Sequence, residues 1–405
     1  MIEIETVLEK FLSVHEEHHN IYRAFYRTLA GDASNAGWEI ISLEEWEKVP
    51  ETARLEGVAS LLFNSFSSRG WPVRMPQAVR LKLENSYYST IAQNMLMYKE
   101  LARISTAFRQ AEIPIIALKG AANALVLYPD VGLRPMSDMD LLVPKDQLQK
   151  STQVLVDELG YHDPPEKWPE PLSAAIGYDA FLYVRKPGVP VLELHWSLMG
   201  GKADWRTPDI DWFWNQVQSQ DLSIVDKPIE GFLVLNPAAS LLLAAAHLML
   251  YHSGYQKRLI WLYDIHQILN IHREKLDWDQ IIAQSASFRW ASALLASLSG
   301  VNELFDTVIP EGVLARLEAV EDPQGRQFVY RKGSPSQSKF RRVFNSVATL
   351  DRKTQFQFIL NQIFPTPKQI RFWYKPRKSW HLPFYYPLRW IHMLEDGLQT
   401  VLKRR

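Results

Sequence analysis

The sequence predicts an α+β fold in which a strand-rich block lies between an N-terminal and a C-terminal helical region. A change of periodicity carries that expectation. Apolar residues recur at helical spacing before residue 112 and again after 236, whereas the stretch between them is built of short branched-aliphatic runs cut by glycine and proline. Composition supports a globular chain: 405 residues, 47% hydrophobic and 22% charged, are enough for two or three domains with real cores. There is no cysteine, which removes disulfides, thiolate metal sites and cysteine nucleophiles, so any metal must sit on oxygen or imidazole.

Residues 1–112 read as helices, with apolar spacing in IETVLEKFLSV and SYYSTIAQNMLMYKELARISTAFRQAEI and a turn at SSRGWP, 68–73. IPIIALKG is a buried strand that begins near Pro114 and stops at Gly120. AANALVLYPD is a short helix closed by Pro129, GLRPMSD a loop, and MDLLVP a second strand ended by Pro144. KDQLQKSTQVLVDELGY is an amphipathic helix with Gly160 at its C-terminal end. After a Pro-rich loop (164–171), FLYVRKPGVPVLELHW reads as a hairpin. Asn236-Pro237 starts a new helix, Asn as N-cap and Pro at the first helical position, and helices are expected over 238–253, 258–271 and 278–300. The expected divisions are 1–112, 113–235, 236–320 and a basic, aromatic-rich 321–405.

Chemistry concentrates at Ser137-Asp138-Met139-Asp140. Two aspartates two apart at the mouth of a strand project from the same face, where they can hold hard divalent cations. Asp209-Ile210-Asp211 and Asp277-Trp278-Asp279 have the same spacing but precede helical runs, where N-capping explains them. Only Asp138 and Asp140 enter an aliphatic strand, which has no structural use for them. Lys119-Gly120-Ala121 is a strand-to-helix junction that can offer backbone N–H groups to phosphate; Lys119 is either a phosphate contact or a surface lysine. In VLELHW, alternation puts Glu193 and His195 on one face: Glu193 as third metal ligand or base, or both as the polar face of an amphipathic strand. Arg134 either binds phosphate or pairs with a carboxylate. His247 sits in an apolar helix, where a hydrogen-bonded core histidine is the usual outcome, and His252 and His266 lie near it.

Together these residues resemble the polymerase-β-like nucleotidyltransferase superfamily, marked by a glycine turn, Asp-x-Asp on a strand and a third acidic residue on a later strand. LKGAANALVLYPDVGLRPMSDMDLLVP, the later ELHW, and His247 followed by RLIWLYDI are similar to a large bacterial family called uncharacterised nucleotidyltransferases. The likeness covers roughly 40–290 and is sharpest over 115–144. It implies a mixed sheet flanked by helices and a cleft for Mg²⁺ (or Mn²⁺) and a nucleoside triphosphate, with ATP the expected one. It implies Asp138, Asp140 and Glu193 as metal-holding catalytic residues. Lys119, Gly120, Ala121, Arg134, Ser137 and Arg258 would then lie on the nucleotide side, and His195, His247 and Asp264 on the acceptor side. The chain departs from the superfamily pattern at Ala121, where Ser or Gly is usual, and in the long interval from Gly120 to Asp138.

The expected activity is NMP transfer to a hydroxyl or similar nucleophile of a small molecule, peptide or protein. The alternative is a non-catalytic nucleotide- or partner-binding protein on the same fold. No P-loop, dinucleotide fingerprint or kinase set is present. His15-Glu16-Glu17-His18-His19 matches a zinc-protease pattern but lies in a polar run, a solvated helix face. The acidic start (Glu3, Glu5, Glu9) is unlike a signal peptide, and LLLAAAHLML, Leu241 to Leu250, is half the ~20 residues of a membrane span, so a cytoplasmic protein without a transmembrane segment is expected. The formal charge of zero hides an asymmetry. Residues 321–405 hold 17 Lys+Arg and 5 Asp+Glu, against 28 and 40 in the rest. That basic tail either docks on the acidic body or attracts an anionic partner.

Overall fold

A computed structural model describes residues 18–32, 36–162, 169, 172, 179–182, 191–199, 205–219, 232–251, 258–330, 351–376 and 378–402. His15, His252 and the KPGVP turn lie outside the described residues. Four helices come first: α1 (His19–Ala30), α2 (Leu43–Leu55), α3 (Ala59–Arg69) and α4 (Gln77–Gln110). Helix α2 starts in a capping box, with Ser42 and Glu45 each satisfying the other's backbone N–H.

The sheet is mixed, with strand order β3-β4-β2-β1-β6-β5. Its members are β1 (Ile116–Leu118), β2 (Asp138–Leu142), β3 (Asp179–Leu182), β4 (Val191–His195), β5 (Val217–Ser219) and β6 (Leu233–Leu235). Strand β2 runs antiparallel to β1 and parallel to β4; β3 and β4 are antiparallel, as the hairpin reading requires. Helices α5 (Lys119–Val126), α6 (Leu148–Asp157) and α7 (Ile210–Trp214) connect the strands. Asp209 caps α7 by accepting from Asp211 N–H at 3.0 Å.

Helix α8 (Pro237–Ala246) begins at the expected Asn236 cap, whose side chain accepts from Ala239 N–H at 3.0 Å. It passes into a π-turn at His247–Tyr251 and is followed by α9 (Leu259–His272). The single helix expected over 278–300 is two, α10 (Trp278–Ser287) and α11 (Ala291–Phe305). Asp277 caps α10. The break between them lies at Arg289, whose backbone is left-handed (φ 61°), so that Phe288 and Trp290 both bury against Phe213. Helices α12 (Val313–Ala319) and α13 (Pro323–Tyr330) follow.

Helices from before and after the sheet share one apolar core. Tyr26 of α1 meets Phe305 of α11, ring centroids 6.3 Å apart, and Trp38 stacks on Trp46 at 5.1 Å. A second core joins the C-terminal half of α4, from Met97 to Phe108, to the sheet through Ala117, Met139, Leu141 and Leu192. The C-terminal region forms α14 (Arg352–Ile363), α15 (Pro367–Tyr374) and α16 (Leu382–Leu402), tied together by a buried, reciprocal Asn361–Gln369 amide pair and by Arg389 donating to Gln362. No helix among the described residues is long and apolar enough to cross a membrane.

Candidate active site

A cavity of about 240 Å³ opens where β1, β2 and β4 meet α8 and α9. Its sheet wall follows from register. Asp140 pairs with Leu118 on one side and with Glu193 on the other, so two carboxylates from neighbouring parallel strands stand side by side. Asp138, one step along the same face, also lines the cavity and accepts a hydrogen bond from Ser137 Oγ at 3.1 Å. Lys119 donates to Asp140 Oδ1 at 2.7 Å, and His195 Nε2 meets the same oxygen at 2.8 Å and Glu193 at 3.6 Å. Ligand atoms of Asp140, Glu193 and His195 lie within 4.8 Å of one another, a grouping able to hold a metal ion.

This crowding splits the two aspartates electrostatically. Burial would raise the Asp140 carboxyl, but Lys119 and His195 outweigh it and hold the group far below the usual carboxylate range. Asp138 goes the other way: burial first, then the charges of Asp140 and Glu193, push it up. Burial lowers Lys119 and His195, and for each the neighbouring carboxylates reverse the sign, so both end above their ordinary values.

The strand-to-helix junction turns one residue earlier than the glycine suggests. Lys119 itself is left-handed (φ 47°) and opens α5, a strained backbone for a lysine of the kind that gathers at functional sites. Gly120 is needed for space: a Cβ there would stand 2.7 Å from Arg134 Nη1. Leu118, the N-cap, makes no side-chain cap, which leaves the first-turn amides of α5 for another acceptor. Ala121 is buried in the sheet core and its side chain does not line the cavity, so the missing hydroxyl faces protein.

Arg134 lines the cavity and makes the carboxylate pair. Its guanidinium donates to Asp264 at 2.7 and 3.4 Å, while Tyr128 (2.7 Å) and Asn123 (3.0 Å) donate to the same carboxylate. Asp264, expected on the acceptor side, also lines the cavity, and its buried carboxylate is saturated by donors. His195, also expected there, is 2% exposed and lies behind Asp140. Arg258 lines the cavity but ties α9 to α2 by donating to the Leu55 carbonyl at 2.8 Å. His247 is a cavity residue. Its ring stacks on Tyr251 (5.6 Å) and meets Trp261 edge-on (5.0 Å), and Lys119 Nζ lies 5.7 Å from the Tyr251 ring centre. Tyr251 and Trp261 form an aromatic wall that sequence reasoning missed.

His266 is remote, bonded to Thr307 at 2.6 Å, and burial lowers it to about 4. Because the unfolded chain takes up this proton first, stability should fall as pH drops from about 6.5 to about 4, by no more than ~3 kcal/mol. Urea midpoints across that range should show the loss, and His266→Gln should flatten it.

The cavity and the strands around it lie within the stretch that matches a family model. The model describes an uncharacterised nucleotidyltransferase and matches residues 42–306, about two thirds of the chain. This chain belongs to the uncharacterised nucleotidyltransferase family. The matched span runs from the start of α2 to the end of α11 and takes in every cavity-lining residue, whereas α12 to α16 lie beyond it. Membership supports a nucleotidyl-transfer role with a nucleoside triphosphate as substrate. Among solved structures, the chain is similar to an antigenic nucleotidyltransferase-like protein from Paracoccidioides brasiliensis, at 13% identity and a TM-score of 0.33, over 56% of this chain and 96% of that one. No curated protein matches the sequence.

Proposed function

We propose that the protein transfers a nucleoside monophosphate, AMP from ATP the expected case, to a hydroxyl or similar nucleophile of a small molecule, peptide or protein, with Mg²⁺ or Mn²⁺. The observation that carries the proposal is the row of Asp138, Asp140 and Glu193 on one face of two parallel strands, beside the uncapped start of α5. The donor set fits the ion: Asp140 and Glu193 fall with His195 in the metal-capable grouping, Asp138 lines the same cavity wall, and the hard oxygens of these three carboxylates, suited to Mg²⁺ or Mn²⁺, would hold it. Bound there, a divalent ion supplies Lewis-acid stabilisation of phosphate oxygens and activates the nucleophile.

The chain's own groups supply the rest. Lys119 and the amides from Gly120 onward bind the triphosphate, and Tyr251 with His247 offers a face for the base. The acceptor oxygen attacks the α-phosphorus, its proton passes to Glu193, and the bond to pyrophosphate breaks. His195 acts on Asp140 as a positioning residue. The basic C-terminal region belongs to the same proposal as the place for an anionic partner.

One observation favours the non-catalytic alternative: Lys119 and His195 already neutralise Asp140 through Oδ1. A pyrophosphate-release screen over NTPs and acceptor classes separates the two, with mass spectrometry of the protein to catch self-modification. Catalysis requires pyrophosphate that disappears in Asp138→Asn. NTP binding by calorimetry that is indifferent to Mg²⁺, without pyrophosphate, selects the alternative.

A further inference from the structure

Helices α14 to α16 carry an unusual outer surface. On α14, Phe356 and Ile359 are exposed at helical spacing and lead to exposed Phe364. Trp380 precedes α16, and Phe384, Leu388 and Ile391 repeat at intervals of three or four along one side of it. Phe384 is 68% and Trp380 65% exposed with the described chain in place. The two rows meet, because Trp390 donates to the Ile363 carbonyl at 2.8 Å and its ring packs edge-on against Phe364 at 5.9 Å. Single exposed apolar residues are ordinary on a soluble protein, but two converging rows are not.

The charge around these rows is mostly basic. Residues 351–402 contain eight Lys or Arg and three acidic residues, Asp351, Glu395 and Asp396. Lys368, Arg371, Lys375 and Lys378 are exposed in the segment that joins the two rows, and Arg389 lies over the Trp373 ring at 4.3 Å. Aromatic and aliphatic side chains on one side, with cations flanking them, are what an interfacial helix needs. The rings and aliphatic chains enter the acyl boundary while Lys and Arg reach the headgroups.

We infer that α14 to α16 form a docking surface for an anionic lipid bilayer, on which the protein rests without spanning it. Charge complementarity selects anionic headgroups. The aliphatic members of the rows select a bilayer over nucleic acid, because bases stack on rings but offer no apolar volume to bury Ile359, Leu388 or Ile391. The absence of a spanning helix among the described residues, and Pro383 and Pro387 in the first turns of α16, fit a helix that lies in the interface.

Flotation of the full chain with vesicles tests this inference independently of any activity. Vesicles of phosphatidylcholine with phosphatidylglycerol should carry the protein, and phosphatidylcholine alone should carry it at least about tenfold less. Brominated lipid should quench part of the tryptophan fluorescence of the unaltered protein. Phe384→Asp/Ile391→Asp changes only exposed positions, so circular dichroism should be unchanged while vesicle binding falls about tenfold or more. Arg371→Glu/Lys375→Glu/Lys378→Glu should erase the preference for the anionic lipid. Failure to float with anionic vesicles overturns the inference. Binding that survives Phe384→Asp/Ile391→Asp, or single-stranded RNA displacing the vesicles, assigns the surface to a polyanion instead.

Discussion

Asp140→Asn should lower nucleotide transfer by roughly a hundredfold to a thousandfold, the scale of losing one preorganised electrostatic group, here a carboxylate that would hold the ion. It should also weaken the fold, for a separate reason. Asp140 is buried and neutralises both Lys119 and His195. Removing one partner of a buried pair commonly costs ~3–5 kcal/mol, and the lower end applies here because the Lys119 side chain keeps 19% exposure and can shed its proton. Lys119→Met added to Asp140→Asn removes the orphaned ammonium, so urea unfolding should recover much of the lost stability while transfer stays absent. Because the Asp140 carboxyl is depressed in the folded state, its stabilisation is present above about pH 4 and is lost as pH falls below it. The gap between wild type and Asp140→Asn should therefore narrow in acid. Asp138→Asn is the complementary probe: its charge is opposed by burial and by Asp140 and Glu193, so the variant should lose transfer without losing stability. Full transfer by Asp140→Asn would remove the carboxylate row from the mechanism.

The legible part of the site was the part encoded within a few residues. Asp138 and Asp140 stood out because an aliphatic strand excludes carboxylates unless they are used, and alternation alone put Glu193 and His195 on one face. Which strand would bring Glu193 to Asp140 was not local information. It depends on β2 lying parallel to β4, a pairing across about fifty residues that register fixes and spacing does not. The aromatic wall was hidden for a related reason. Tyr251 reaches the cavity from a π-turn, whose extra residue departs from the period used to place helical side chains, and nothing in the local pattern marks such a turn. At the strand-to-helix junction, glycine was read as the turning residue, whereas Lys119 takes the left-handed backbone and Gly120 makes room for Arg134. The helical regions were visible as regions, but their shared core arises from contacts such as Tyr26 with Phe305 that no periodicity announces.

Asp264 gives the second large effect, and it tests whether this carboxylate serves chemistry or architecture. Four hydrogen bonds converge on its buried carboxylate, from Asn123, Tyr128 and two nitrogens of the Arg134 guanidinium. Asp264→Ala leaves a buried guanidinium without a counter-charge, which costs ~3–5 kcal/mol, and a buried Tyr128 hydroxyl without its acceptor, ~1–3 kcal/mol more. A drop of about 4 kcal/mol or more in unfolding free energy is expected. Replacing both partners, as Arg134→Met/Asp264→Leu, should restore a good part of it, since a packed apolar pair is often as stable as the ions it replaces. The consequence for the cavity passes through Gly120. Arg134 Nη1 occupies the space a side chain at Gly120 would need, so the pair packs directly against the Lys119–Gly120 turn. Asp264→Asn, which keeps the shape and part of the hydrogen bonding, should therefore raise the KM for nucleoside triphosphate and lower the denaturation midpoint together, with a smaller change in kcat. A direct role on the acceptor predicts the reverse: an unchanged midpoint and a collapse of kcat. That outcome would return Asp264 to the acceptor side and leave its four donors as the environment of a catalytic group.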